Sequence, residues 1–524
     1  MPIIRFDIQS LQRCRQWLRL FVIFCLLLGV FQAIPQPLPN LGGDEGMSLT
    51  AERRLGDRIA RELYRDPDWL DDAVLVEYVD EIWQSLRRAA RVRGEVTDEM
   101  DERMAWRVLL SRDRSINAFA MPGGYFGLHL GLMAMVGSRD ELAAVLAHEM
   151  SHVTQRHIAR MQAQQSRQAP VLLGALILGA LAASKNPDAT NAVVAGSQAA
   201  AAQAQLNYSR DMEREADRIG YGVMVQAGFA PDAMEAVFDK LHRANRLNDR
   251  GAFPYLRTHP LTTDRLADIS MRAPRNETNR PIPSVDGVAR HAMMVARARL
   301  LSGTPADDAG DHVSASRARD LATQPLARQV AIQYGVALQQ MRLRQFEEAA
   351  VALGRLDELL QEVGPLSRRT AKLLRAEMLA MQDRWPPLVE LLSGDARGAG
   401  AFAARPELLA WGHALLRLSG AVPATLVDAL QERVALHPDD SSSWQLLSQV
   451  LQRQGRALAA LRAEAESHAA RQDLQAARDR LRAAQDLIRS GAAGRAGADA
   501  IDAAIIATRV RELDSRLREQ ALER

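Results

Sequence analysis

The chain has 524 residues, 47% of them hydrophobic and 25% charged, with a formal charge of +2. The length is too great for one core and sets an expectation of two or three domains, while the composition excludes a disordered or fibrous chain. The near-neutral balance gives no basis for nucleic-acid binding, and few aromatics with plentiful Ala, Leu, Arg and Gln favour helix.

The first element is a targeting segment. Arg5, Arg13, Arg15 and Arg19 precede an apolar stretch from Leu20 to Phe31, followed by Gln32-Ala33 and the proline-rich Ile34–Pro39. A basic start, a short apolar core and a small residue before extended chain describe a secretory signal peptide over 1–33, with an extended linker over 34–48. The apolar core falls short of the about 20 residues a spanning helix needs, so an uncleaved anchor is the competing reading. No lipobox surrounds Cys25. Removing the leader takes away four Arg, one Asp and both cysteines, and the charge becomes −1. The mature chain then has neither a disulfide nor a thiolate metal site, which suits an exported protein of the bacterial periplasm.

Leu49 to Tyr64, with Thr50 as its cap, and Val74 to Ala90 have helical periodicity. Trp106–Leu110 and Tyr125–Leu130 read as short strands around a Pro-Gly-Gly turn, Pro122 to Gly124. A helix from Asp140 to Arg160 follows. Val171 to Ala183 is apolar on all sides but too short to span a bilayer. It reads as a buried or interface-lying helix, with peripheral membrane contact as the lesser alternative. Residues 184–207 read as a loop, and Ser209–Gln226 and Ala233–Leu247 as helices. The polar, proline-punctuated stretch from Ala273 to Ser284 marks a boundary. The expected organisation is a catalytic domain over 49–275, a linker over 276–285 and a helical domain over 286–524.

That helical half repeats weakly. Trp444, Leu447, Ser448, Leu451, Gly455 and Ala460 take the packing positions of a tetratricopeptide helix pair, with Pro438 where a preceding repeat would end. Val336-Ala337 with Phe346–Ala349 is a degenerate copy, and Asp473–Ala477 resembles the second helix of another. Each such pair leaves an apolar face that a neighbour must cover. A generic helical bundle is the alternative.

The chemistry centres on His148-Glu149-Met150-Ser151-His152. Four helical residues turn by a little over one revolution, so the two imidazoles share a face and fit one tetrahedral zinc, with Glu149 beside them as a proton acceptor. Catalytic zinc needs a third protein ligand. On the helix downstream, Glu213 and Asp217 share a face, and spacing alone allows Glu213 or Glu215 as that ligand. A neighbouring carboxylate would then fix the tautomer of a ligating histidine.

Three segments in order, Asn117–Gly124, Glu141–His152 and Ser209–Asp217, resemble the successive signatures of the CAAX-prenyl-protease and HtpX type of zinc metallopeptidase. The resemblance runs from about Leu38 to the C-terminus and is most specific in the first half. It implies a mainly α protein: a zincin-like domain of helices with a small β-sheet, then an α-helical tetratricopeptide-repeat domain. It implies one Zn2+ per chain held by His148, His152 and Glu213, Glu149 as base, Asp217 behind the ligands, and Glu215 as structural. The integral-membrane members carry several spanning helices that this chain lacks. With an export signal ahead and repeats behind, the layout is similar to periplasmic members that act in outer-membrane β-barrel assembly and quality control. Unfolded or stalled outer-membrane proteins and the barrel-assembly machinery are the partners this implies. A latched or vestigial protease acting as a chaperone or scaffold is the alternative, and a general protease of membrane-protein fragments a further one.

Two further expectations concern the site. His259, in Thr258-His259-Pro260, is positioned as a regulatory fourth zinc ligand, or else as a loop histidine capping the next helix. The backbone around Asn117 and Phe119 is a candidate edge strand for an extended substrate.

Overall fold

The computed structural model describes residues 47–164, 209–247, 254–272, 283–303, 321–396, 404–490 and 497–522. The expected signal peptide, most of the 34–48 linker, Val171–Ala183 and the stretch 184–207 lie outside the described residues. Among the described residues no helix is long and apolar enough to cross a membrane.

Helix α1 (Leu49–Arg65) is capped by Ser48, whose side chain accepts from the Ala51 amide. The cap is therefore Ser48 and not the expected Thr50, because the chain is already helical at Leu49, two residues before a Thr50 cap would allow. Asp72 caps α2 (Ala73–Val92) through the Leu75 amide, and Trp83 and Leu86 on its inner face are fully buried. A short helix, α3 (Asp98–Arg103), leads into the sheet.

The sheet has four strands: β1 (Trp69–Leu70), β2 (Arg107–Ser111), β3 (Ala118–Met121) and β4 (Tyr125–His129), in the order β1-β2-β4-β3. The central pair β2/β4 is parallel, while β1/β2 and β3/β4 are antiparallel. The expected strand pair is present as β2 and β4, but they are not a hairpin. The chain first returns as β3, which pairs with β4 across the Pro122–Gly124 turn and puts Phe119 opposite Gly127. Gly123 and Gly124 have φ of +74° and +77°, the left-handed conformation this turn needs.

Helix α4 (Leu130–Met135) leads to α5 (Arg139–Thr154), which is buried continuously from Glu141 to Thr154. The expected helix to Arg160 breaks after Thr154, and α6 (157–164) resumes after Arg156, whose φ is +54°. Arg156 is held there by the Met47 carbonyl and by Glu52. Helices α7 (209–226), α8 (Ala233–Leu247), α9 (Pro254–Thr258) and α10 (Thr263–Arg272) complete this half.

The rest is helical, in antiparallel neighbours: α11 (Val285–Ser302), α12 (Leu326–Arg342), α13 (Phe346–Leu360), α14 (Pro365–Met381), α15 (Trp385–Ala396), α16 (Arg405–Arg417), α17 (Ala424–Leu436), α18 (Ser441–Arg453), α19 (Ala457–Ala470), α20 (Leu474–Arg489) and α21 (Gly497–Leu522). Gly455, at φ +73°, turns α18 into α19, and Ser448 donates to the Ala460 carbonyl across that pair at 2.8 Å. One continuous core runs from the sheet and α5 through α11 into α12–α14. Arginines of the helical half also reach the acidic start of α2 and its flank: Arg297 to Asp72, Arg369 to Glu77, Arg405 to Asp71.

Candidate metal centre

Helix α5 is surrounded by protein, so polar side chains on it are desolvated and need partners. His148 and His152 lie one turn apart, with Nε2 atoms 3.1 Å from each other. Helix α7 crosses them closely because Gly220 has no side chain. A Cβ there would stand 3.0 Å from the backbone of Ala147 and His148.

That crossing brings Glu213 against both rings, with Oε2 3.4 Å from His148 Nε2 and Oε1 3.5 Å from His152 Nε2. His259 follows α9, and its Nδ1 lies 3.0 Å from Glu213 Oε1 and 3.4 Å from His148 Nε2. One ligand atom from each of His148, His152, Glu213 and His259 falls within 4.8 Å of the others. Arms of about 2.0–2.2 Å in a tetrahedron put donor atoms roughly 3.4 Å apart, and three imidazoles with one carboxylate are a zinc-type donor set. The residues fit the ion.

Behind these donors, His148 Nδ1 meets Asp217 Oδ1 at 3.0 Å. Arg265 grips Asp217 with two bonds of 2.7 and 2.8 Å, contacts Glu213 Oε2 at 2.9 Å and donates to the Pro260 carbonyl at 2.8 Å. His152 Nδ1 meets His157 Nδ1 at 2.9 Å, and His157 Nε2 meets Glu215 at 3.1 Å. Of the two glutamates that spacing leaves open, Glu213 faces the cluster and Glu215 faces His157. Thr262, not His259, caps α10 by accepting from the Arg265 amide.

Electrostatics follow from burial and partners. Burial pushes the His148 pKa down, but the Asp217 and Glu213 carboxylates bonded to it outweigh this and raise it to about 10. Burial, then the charge of His148 and His259, drives His152 well below its usual range. Burial alone would raise Glu213, yet His259 and His148 hold it well below the normal carboxylate range.

Glu149 is 1% exposed, and neither of its oxygens makes a well-formed hydrogen bond among the described residues. Burial raises its pKa, offset only in part by His259 and His148. A buried carboxylate beside a set of metal-type donors is suited to take a proton from water. His259 Nε2 lies 3.6 Å from Glu149 Oε1. His259 is itself stacked on Tyr255, with ring centroids 4.7 Å apart.

Strand β3 packs on α5 and ends the sheet. Phe119 lies in it, with its ring close over Gly127, and Asn117 precedes it with a buried Oδ1 that lacks a partner among the described residues. Sequence reasoning missed His157, Arg265 and Tyr255. His157 is five residues beyond His152, off the helical face, and only the break at Arg156 returns it. Arg265 carries no motif except its place soon after His259-Pro260.

Residues 80–273 match the profile of peptidase family M48. A protein of Vibrio cholerae is 36% identical over 333 residues, 63% of this chain and 65% of its own length, just under two thirds. The beta-barrel assembly-enhancing protease of Escherichia coli (strain K12) is 30% identical over 441 residues, 83% of this chain and 85% of that protein. The one from Yersinia pestis is 28% identical over 447 residues, covering 82% and 84%.

Proposed function

The chain belongs to peptidase family M48 and is a metalloprotease, and from that premise we propose that it is a periplasmic zinc endopeptidase serving assembly and quality control of outer-membrane β-barrel proteins. The observation that carries this reading is the convergence of ligand atoms from His148, His152, Glu213 and His259 within 4.8 Å, beside a buried Glu149. The substrate class and compartment rest on the names of the E. coli and Yersinia relatives and on the export-like leader over 1–33.

In this reading His148, His152 and Glu213 hold one zinc ion, Asp217 orients His148, and Glu215 lies outside the ligand set. When bound, zinc would lower the pKa of water towards neutrality and polarise the scissile carbonyl. Glu149 accepts the water proton at its carboxylate and passes it to the leaving amine. An extended substrate adds to β3 along the Asn117–Phe119 backbone, so the main chain is gripped with little regard to sequence. His259 occupies a donor position until substrate displaces it.

The segment 49–275 forms the catalytic domain. The helix pairs of 286–524, of tetratricopeptide type, bring it to stalled barrel proteins or to the barrel-assembly machinery. Val171–Ala183 is the candidate for peripheral membrane contact. The test is cleavage of an unfolded outer-membrane barrel protein, and of casein, by the mature chain and by Glu149→Gln. Cleavage that depends on Glu149 and on zinc is expected. Rescue of barrel folding with no cleavage by either form would favour the chaperone reading, with His259 as a permanent latch.

A further inference from the structure

The motif that the metal reading leaves unused is the chain of contacts from His152 away from the cluster. His152 Nδ1 lies 2.9 Å from His157 Nδ1, His157 Nε2 lies 3.1 Å from Glu215 Oε2, and Arg160 Nη1 lies 2.8 Å from that same oxygen. His157 is 1% exposed. In an unbroken helix a residue five positions on points about 140° away, so this contact exists only because the helix breaks at Arg156. The left-handed Arg156 is pinned by Met47 and Glu52, two partners from far along the chain.

Two like ring nitrogens at hydrogen-bond distance require one to carry the proton and the other to accept. His152 presents Nε2 to Glu213 and His148, so a metal on that side leaves Nδ1 of His152 as the protonated nitrogen. His157 Nδ1 must then be the acceptor, which puts the His157 proton on Nε2, where Glu215 accepts it. Every proton along the row has one place.

We propose that His157, anchored by Glu215 and Arg160, is a positioning residue that selects the metal-binding tautomer of His152. This rests on the reading of His152 as a metal ligand. The two ligating histidines are consequently unequal: His148 is backed directly by the Asp217 carboxylate, and His152 by a neutral ring with a carboxylate one step further out. Glu215 is in turn fixed by Arg160, which donates to the same oxygen at 2.8 Å, so the acceptor of the His157 proton has a set position.

The test uses the full mature chain, zinc-loaded and labelled with 15N-histidine, with ring nitrogen shifts read at neutral pH. The expected result is His157 protonated on Nε2 alone and His152 on Nδ1. Zinc affinity is measured in parallel by competition with a chelating indicator. His157→Phe, which keeps bulk but no acceptor, should weaken zinc binding about 10–100-fold, and His157→Asn, whose amide oxygen falls near the lost Nδ1, should recover most of it. A proton on His157 Nδ1, an unchanged affinity in His157→Phe, or equal losses in both variants would overturn the proposal. If His157→Phe does not fold, the wild-type spectrum decides. A wild-type chain that takes up no zinc overturns the metal reading itself, an outcome distinct from zinc bound with the wrong tautomer.

Discussion

Arg265 and Asp217 face each other as a buried fork, with bonds of 2.7 and 2.8 Å and side chains 2% and 6% exposed. The same guanidinium touches Glu213 and the carbonyl of Pro260, next to His259. One guanidinium therefore bridges two carboxylates, Glu213 of the cluster and Asp217 behind it, and ties down the loop that carries the fourth donor. Removing one partner of such a buried pair leaves an uncompensated charge. Arg265→Met should cost about 3–5 kcal/mol of stability in metal-free protein, measured by urea unfolding. Arg265→Lys should fall between, since a lysine keeps the charge but not the two-pronged geometry.

A substitution at Glu149 tests whether metal binding and catalysis are separable. It is not among the four clustered donors, so Glu149→Gln should keep bound zinc at one ion per chain by metal analysis. Its kcat should fall by about 10²–10⁴-fold, the typical worth of a positioned proton acceptor. Loss of zinc along with activity would instead make Glu149 part of the binding set.

The elements that form by local rules were legible. The mainly helical architecture, the small sheet and the helix carrying His148 and His152 follow from periodicity and turn chemistry, and the family signatures point to the metallopeptidase class. Contacts made by tertiary packing were not. β3 was legible only as a candidate edge strand around Asn117 and Phe119, and its pairing with β4 was not, because four residues carry too little alternation. The left-handed Arg156 has no sequence signal, so the helix read as running on to Arg160 and His157 went unnoticed. Arg265 sits on a short amphipathic helix where an arginine ordinarily faces solvent. Only the crossing of α7 and α10 buries it against Asp217 and Glu213.

His259 offers a test of control. Its Nδ1 is 3.0 Å from Glu213 and its Nε2 3.6 Å from Glu149, so it stands between the cluster and its proton acceptor. If it blocks the site as proposed, His259→Ala should raise cleavage of casein several-fold while leaving zinc content unchanged. Equal or lower turnover would make His259 a supporting residue and not a latch.

The C-terminal helices meet the start of α2 at a charged node. Asp440 receives Arg405 at 3.0 Å and Arg433 at 3.0 Å, caps α18 through the Ser443 amide, and Arg405 continues to Asp71 at 2.7 Å. Burial would raise the Asp440 carboxyl, but Arg405 and Arg433 hold it well below the usual range. Asp440→Asn removes the negative centre from two guanidinium groups. A loss of about 3–5 kcal/mol is expected by urea denaturation, together with faster proteolytic nicking between the helical and catalytic halves. Zinc affinity should be unchanged, because none of these groups touches the cluster.

His291 sets a pH dependence remote from the metal. Its ring is 4% exposed, Tyr78 donates to Nδ1 at 2.7 Å, and Nε2 faces the Val136 carbonyl at 3.4 Å. Both nitrogens are satisfied only by the neutral ring with its proton on Nε2. Burial lowers its pKa to about 4, against roughly 6.5 in unfolded chain. Between those values the unfolded chain binds the extra proton, so stability falls as pH falls. The contribution is complete above about pH 6.5 and is lost progressively towards pH 4, amounting to about 3 kcal/mol. Urea midpoints measured from pH 7 to 4.5 should decline more steeply in wild type than in His291→Gln, by about one proton in slope. The variant can keep a donor to Val136 or an acceptor for Tyr78 but has no titrating ring. Parallel profiles would mean that His291 titrates in the folded protein as it does in water.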